Sequence, residues 1–453
     1  MTPTPPPIVP VSAKHRSWIH DSISLRLGII AGLVLVLLIP TSMIRQIINE
    51  RESRQSGVVS EISGKWGNPQ TLAGPVLTLP VKEYRKTQAG KAETLRYLHI
   101  LPDTLDITGN LDSQIRYRGI YEAVVFASDV TVTGRFLLPD LERLGVNPKQ
   151  VQWQDAFLSI GLSDLRGIRD NVVIRAGDQS VSMSPGLNSR DMLHTGMTAP
   201  IHLDRKHPDF SFSTTLRVNG SGNFSLVPLG KTTTVQLLSP WTSPSFDGAY
   251  LPAERAITSS GFTAGWKILH LNRNYPQYWF GEQHEVMSSA FGVSLVMPAD
   301  AYQKAERTAK YAILFIGLTF TAFFLCEILN RLRIHPVQYL LVGLALVIFY
   351  MLQVSLAEHV GFDRSYGIAS LATILLITCY ARSVFRDCRR LATMAFWLLA
   401  CLYAYLYGVI RNEDYALLLG SVGIFLILAA VMYVTRKINW YQSPDSTPTR
   451  PVE

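Results

Sequence analysis

The residues able to do chemistry are few, and none falls into a spacing that a familiar reaction demands. His202, Asp204, His207 and Asp209 crowd into the stretch IHLDRKHPDF. Their donor types suit a divalent cation, but Arg205 and Lys206 between them oppose one, and the stretch reads as a polar loop. Asn219-Gly220-Ser221 matches a glycosylation acceptor, a frequent chance pattern that matters only in a glycosylating secretory pathway. The chain lacks H-E-x-x-H, G-x-S-x-G and G-x-x-x-x-G-K-[ST], the spacings of a zinc protease, a nucleophile elbow and a phosphate loop. No catalytic, cofactor-binding or metal-binding residue is assigned on this reading, and a non-enzymatic protein is expected.

The other polar positions of interest lie in or beside long apolar runs. Lys304, Arg307 and Lys310 recur every three residues in MPADAYQKAERTAKYAILF, on one face of a helix. Such a face suits lipid headgroups; a solvated or domain-packed face is the plainer alternative. Membrane catalysis or ion-coupled transport leaves ionisable groups inside the spans, because a central charge is costly unless it has a role. Glu327 and Arg382 fall within a turn of span ends, where they can snorkel. Gln353 is uncharged and near an outer end, while Glu358 and His359 open an outer loop. No span carries a central charge, which argues against a pump and leaves a neutral-substrate channel open.

The elements that must position these residues are apolar runs of membrane-crossing length. Tyr311–Leu329, Val337–Ala357, Tyr366–Phe385, Leu391–Ile410 and Tyr415–Val434 each approach the roughly 20 residues that a helical span needs. In hydrocarbon every backbone polar group must be satisfied within its segment, so each run is expected to be an α-helix. A sixth run, Leu27–Ile44, follows Lys14, His15, Arg16 and Arg26. Its length and the lack of an A-x-A site favour a retained anchor over a cleaved signal peptide. Pro40 should kink it near the outer end. Beyond it, IRQIINERESRQSGVVSEI reads as a helical stalk, with a membrane-surface helix as the alternative.

Composition agrees with a hybrid. The chain has 453 residues and a net charge of +8, and its mean hydropathy of +0.17 lies between soluble and wholly membrane-embedded proteins. The cations flank apolar runs instead of forming a stripe with aromatics, so nucleic acid is not an expected partner. Cys326, Cys379, Cys388 and Cys401 all lie in or beside the C-terminal runs. They are expected to pack as small apolar groups, with no disulfide framework.

Between Trp66 and Pro298 the period changes to two. Val130, Val132 and Phe136 alternate with Thr131, Thr133 and Arg135, and Phe210, Phe212, Leu216 and Val218 with Ser211, Ser213, Thr215 and Arg217. Further strands are expected at 76–81, 95–101, 114–127, 156–162, 171–176, 224–229, 232–238 and 291–297. Short strands between turn signals suggest an antiparallel sandwich or a related two-sheet fold, in one unit or two. Gly177–Arg205 reads as a long polar loop, and Gly220-Ser221-Gly222 as a hairpin turn.

Charge asymmetry orients the chain. Arg331 and Arg333, then Arg382, Arg386, Arg389 and Arg390, then Arg436 and Lys437, alternate with the acid-containing loops Glu358–Ser365 and Arg411–Asp414. The positive-inside rule places both termini in the cytoplasm. The expected organisation is a disordered proline-rich tail at 1–24, a signal anchor at 25–47, a periplasmic β-rich domain at 48–308, a five-helix block at 309–435 and a cytoplasmic tail at 436–453. The fold class is thus a six-span α-helical membrane protein carrying a large β-rich extracytoplasmic domain.

Four stretches resemble the inner membrane protein CreD family of bacteria: EISGKWGNPQTLAGPVLTLP, GFTAGWKILHLNRNYPQYW, FGVSLVMPADAYQKAERTAKYAILFIGLTF and IHPVQYLLVGLALVIFYMLQVSLAEHVGFDRSYGIAS. The likeness runs from about residue 25 to 435. Gln353 and Ala357 depart from the Leu- and Ser-containing pattern of that family before Glu358-His359. The resemblance implies an envelope-integrity protein whose expression follows a two-component system, linked to colicin tolerance and β-lactam response. It brings no catalytic residues. The expected partners are the lipid bilayer and envelope proteins or cell-wall components, with no cofactor and with the oligomeric state left open. A transporter or channel for a small neutral or amphipathic substrate, using the β domain as receptor, is the alternative.

Overall fold

A computed structural model describes residues 23–87, 90–204, 209–297, 301–330, 334–384, 389–412 and 415–436. The expected tails at 1–22 and 437–453, and Arg205, His207, Arg331, Arg333, Arg386, Cys388, Glu413 and Asp414, lie outside the described residues. The chain divides into two compact units, Met1–Ser53 with Ala299–Glu453, and Arg54–Pro298.

The first unit is helical. Its helices are α1 (Ile23–Trp66, which runs on into the second unit), α2 (Ala301–Lys310), α3 (Ala312–Leu329), α4 (Pro336–Val360), α5 (Phe362–Val384), α6 (Arg389–Arg411) and α7 (Ala416–Thr435). Among the described residues, five helices are long and apolar enough to cross a membrane, or six if α2 and α3, bent by 43° at their break, form one span. Pro40 does not interrupt α1. The hydroxyls of Thr41 and Ser42 bond the carbonyls of Leu37 and Ile39 at 2.8 and 2.7 Å, supplying donors in the turn where proline removes one. At α4 the sequence writes its own start. Pro336 occupies the first turn, and the His335 amide donates to the Gln338 side chain at 3.0 Å. The packing is close where residues are small: a Cβ on Gly343 would meet the Phe320 ring at 2.8 Å.

The second unit is built on two sheets. Across the first, in order, run Pro244–Gly248, Phe291–Leu295, Asn223–Leu226, Gln70–Thr87, Ala156–Leu162, Gly196–Ile201 and Ser184–Pro185, with Gly90–Ile100 pairing on Gln70–Thr87 and carrying Tyr278–Phe280. The second runs Glu254–Thr258, Gly261–Leu269, Thr232–Ser239, Thr104–Arg118, Tyr121–Phe136, Phe210–Ser221, Val173–Ala176 and Gln179–Ser182. One continuous core draws Leu77, Leu98 and Phe291 from the first sheet and Phe126, Phe136 and Leu237 from the second. The alternation seen in the sequence is burial alternation: Val130, Val132 and Phe136 are buried, as are Phe212, Leu216 and Val218. Pairing is largely antiparallel. However, Gln70–Thr87 runs parallel to Asn223–Leu226, and Thr232–Ser239 parallel to Thr104–Arg118.

Two expectations need correction. Gly177–Arg205 is not a long loop over its described part: it contains the strands Gln179–Ser182, Ser184–Pro185 and Gly196–Ile201. Its buried Met197, Ala199 and Ile201 belong to a strand of the first sheet, and its buried Met192 and Leu193 cover that sheet, with Leu193 so close to Gly161 that a Cβ there would meet it at 2.9 Å. That cover explains why Ala156–Leu162 is buried on both faces. Gly220-Ser221-Gly222 is not a hairpin either. Gly222, at φ +67, turns the chain out of the second sheet and into Asn223–Leu226 of the first.

A buried amide organises one end of the unit. Gln70, fully buried, donates through Nε2 to the carbonyls of Asp164 and Asn219 at 2.9 and 3.0 Å. Its Oε1 accepts from the Asp164 amide at 3.2 Å. The Asp164 carboxylate accepts from the Asn68 amide at 3.1 Å and the Arg166 guanidinium at 2.9 Å. Arg166, first among the causes, holds that carboxyl below its usual range. The Trp66 indole N–H donates to the Phe126 carbonyl at 3.1 Å, and Arg116 stacks over the Trp66 ring, docking the end of α1 within this unit. Replacing Gln70 with Leu leaves several buried backbone groups unpaired and should cost about 2–3 kcal/mol, read as a lower denaturation midpoint of the purified full chain.

Candidate functional site

The polar positions singled out in the sequence fall into two charged layers of the helical unit, with an uncharged polar interior. In the first layer Glu327 is 3% exposed, so it does not snorkel as expected. Its carboxylate accepts from Arg26 at 3.1 Å through one oxygen and from the Tyr339 hydroxyl at 2.8 Å through the other. The three residues come from α1, α3 and α4, and the pair ties the start of the chain to a residue 301 positions away. Burial of this polar group is tolerated because both oxygens are paired.

The second layer gathers Glu358, near the end of α4. Its carboxylate accepts from the Tyr302 hydroxyl of α2 at 2.9 Å and lies 3.6 Å from the Arg51 guanidinium of α1. One turn and a half earlier on α1, Arg45 donates to the Ala309 carbonyl at 2.8 Å, beside the break between α2 and α3. The two segments through which the chain leaves and re-enters the helical unit are therefore held to each other by arginines of α1. Lys304 lies 5.6 Å from the centre of the Phe362 ring, and Lys310 pairs with Glu306 at 3.4 Å. The spacing of three therefore does not make one free cationic face: Lys304 and Lys310 are engaged within the protein, and Arg307 is half-buried. His359 is exposed.

Inside this layer sits Gln353, fully buried, whose amide oxygen and nitrogen both lack a hydrogen-bond partner among the described residues, as does the buried Tyr350 hydroxyl one turn earlier. Arg45 lies within electrostatic reach of Tyr350. Phe349 packs its ring on Tyr350, Tyr366 and Tyr403 at 5.0, 5.5 and 4.7 Å, and the Tyr366 hydroxyl donates to the Tyr403 carbonyl at 2.8 Å. Sequence reading found Gln353 and Glu358 but missed Arg45, Tyr302, Tyr339 and Tyr350. The partners of Arg45, Tyr302 and Tyr339 come from other helices, so no local spacing signals them.

In the β unit the residues of the supposed metal cluster do other work. His202 Nδ1 lies 3.0 Å from the Gln154 carbonyl, and Asp209 accepts from the Leu138 amide at 3.0 Å; among the described residues no group of three possible ligands forms. Ser221 of the glycosylation pattern is buried, and Asn219 lies within a paired strand. A Thr78–His99–Asp191 relay, unforeseen in the sequence, spans 3.0 Å to Nδ1 and 2.9 Å to Nε2. Thr78 and His99 are each 2% exposed, which leaves no approach for a reacting atom, so the relay pins the covering segment to the sheet. Desolvation outweighs Asp191 and lowers the imidazole below its ordinary 6.5, so the ring meets Asp191 as a neutral hydrogen-bonding group.

Two measurements probe these contacts. Removing one partner of the buried pair, as in Arg26→Ala, should destabilise by about 3–5 kcal/mol, whereas Arg26→Ala with Glu327→Leu should recover much of the loss; a thermal-melt double-mutant cycle reads the coupling. For His99, the unfolded chain takes up a proton below pH 6.5 that the folded chain refuses until lower pH. The stability it supports is thus complete above that value and lost as pH falls, by at most about 1.4 kcal/mol per pH unit. His99→Gln should flatten that slope in denaturation curves measured across the acidic range.

Comparison with known proteins now gives the context for these layers. A family model described as Inner membrane protein CreD matches residues 22–441. Inner membrane protein CreD of Escherichia coli (strain K12) is 36% identical over 420 residues, covering 90% of this chain and 92% of that protein. The match takes in both units and all seven helices, and on that extent the chain belongs to the CreD family of inner membrane proteins.

Proposed function

We propose that this protein is a non-enzymatic inner-membrane component that supports the integrity of the cell envelope under stress, through contacts of its β unit with envelope proteins, lipids or cell-wall components. In this reading α2 and α3 form one bent span, giving six spans with both termini in the cytoplasm. The β unit, a sandwich of its two sheets, lies in the periplasm. Arg26, Arg382, Arg390 and Arg436 would then face the cytoplasm. The observation that carries the reading is the grip on both connecting segments. Arg45 and Arg51 of α1 meet Ala309 and, through Glu358, Tyr302 of α2. A tether alone would need one span and no such clamp; a clamp suits a unit whose attachment must bear load or pass on a change.

Deleting the gene should raise outer-membrane permeability to a hydrophobic dye and alter an envelope-stress reporter. The wild-type gene should restore both, and Glu358→Gln should restore them incompletely at equal membrane abundance. A deletion strain indistinguishable from its parent in both assays would sink the proposal. The second reading, a path for a small neutral substrate, is favoured by the unpartnered Gln353 amide and Tyr350 hydroxyl inside the helices. It predicts solute flux into proteoliposomes that Gln353→Leu abolishes, whereas the first reading predicts no flux.

A further inference from the structure

We infer that residues 187–194 form a lid on the first sheet of the β unit, latched by the hydrogen bond between Asp191 and His99 and released by acid. The lid stands in a fastened frame. The Gly186 amide donates to the Gly196 carbonyl at 2.9 Å, and the Leu162 amide donates to the Thr195 carbonyl at 3.3 Å. Between those bonds the chain joins no strand, so side chains hold it down. Met192 and Leu193 are buried, Leu193 resting on Gly161, and Asp191 reaches His99 Nε2 at 2.9 Å. A segment without ladder bonds opens at a lower cost than the sheet it covers.

The latch is built for a neutral ring. An ionised Asp191 can only accept, so Nε2 carries the ring's hydrogen and Nδ1 accepts from the Thr78 hydroxyl at 3.0 Å. A second proton, on Nδ1, faces that hydroxyl. Thr78 must then turn to accept, and its own hydrogen loses the one acceptor it has among the described residues. The surroundings do little to offset the charge. Gln70–Thr87 contributes the uncharged Thr78, and Tyr278–Phe280 contributes Trp279, whose ring lies 6.3 Å from the imidazole. His284 packs on Trp279 at 5.1 Å and could add only charge of the same sign. Arg190 and His194, beside Asp191 on the lid, are exposed to solvent. Asp191, the one charged group acting on the ring among the described residues, is outweighed by burial.

Lifting the lid gives the imidazole water. The open form then takes up its proton near the ordinary 6.5, while the closed form refuses it until lower pH. By linkage, each fall in pH below that value shifts the balance toward the open lid, by at most about tenfold per unit. Opening bares Met192 and Leu193 and leaves the strand pairing beneath, such as Leu158 with Ala199, in place. The device belongs to the β unit alone and holds whichever side of the membrane that unit faces.

Peroxide oxidation of methionine in the purified full chain, read by peptide mass spectrometry at about pH 7.5 and about pH 5.5, tests this, because the thioether itself has no proton to titrate. Met192 of the lid should oxidise roughly fivefold faster at the lower pH. Met197, buried in the paired strand Gly196–Ile201, should not change. His99→Gln keeps a donor for Asp191 and an acceptor for Thr78 without a titrating ring, and should hold Met192 at one rate at both pH values. Asp191→Asn keeps the bond but removes the charge that favours the imidazolium, and should enlarge the response toward the limit of about tenfold. Melting temperatures at each pH check folding. A Met192 rate that is unchanged or slower in acid overturns the latch, as does Met197 accelerating with it, or a folded His99→Gln that responds as the wild type does.

Discussion

An arginine inside hydrocarbon must be paired or displaced to the edge, and α1 obeys that constraint along its whole membrane length. Residues 27–44 carry no charge, and the helix is bracketed by Arg26 on one side and Arg45 on the other, a rise of roughly 28 Å against a hydrocarbon core of about 30 Å. At each end the cation finds a fixed partner: Glu327 with Tyr339 at one, the Ala309 carbonyl at the other. The same two layers recur on α4, where Tyr339 belongs to the first and Glu358 to the second. The helical unit is thus pinned at two depths by hydrogen-bonded charges, and between them by close apolar packing such as Leu37 and Phe320 on Gly343. Because apolar surfaces gain little by associating in lipid, these polar pins give the arrangement its specificity.

What the sequence made legible follows from which physical signals are local. A helix in lipid satisfies its backbone within itself, so apolar length alone located α3–α7, missing ends by only a few residues, and the first part of α1, which continues to Trp66 through the polar stretch read as a stalk. Strands with one face on the core announced themselves by alternation, as at Val130–Phe136. Ala156–Leu162 was also read as a strand, but the reason for its second buried face lay in a polar-looking stretch further along the chain. The cover over that strand was read as a loop because its apolar residues, Met192 and Leu193 among them, are separated by exposed polar ones. Which sheet a strand joins is not local either. Alternation before and after Gly222 looks the same for a hairpin and for a crossing between sheets.

The candidate site was legible residue by residue and illegible as an arrangement. Gln353, Glu358 and Glu327 stand out in sequence because polar groups in apolar runs are costly. For Glu327 and Glu358 the meaning depends on arginines about three hundred positions away. Glu327 shows the difference most clearly. Its place near a span end licensed snorkelling, yet Arg26 and Tyr339 together make burial the lower-energy state.

The break at Tyr311 ties these observations to function. A bent span exposes carbonyls that no following amide reaches, and in a membrane such groups need a donor. Arg45 supplies one to Ala309, and in doing so commits a guanidinium from α1 to the backbone of α2. Among the described residues the Nε of the same arginine is buried without a partner, and Arg45 lies within electrostatic reach of Tyr350. A straight span would not have called for the bond from Arg45 to Ala309.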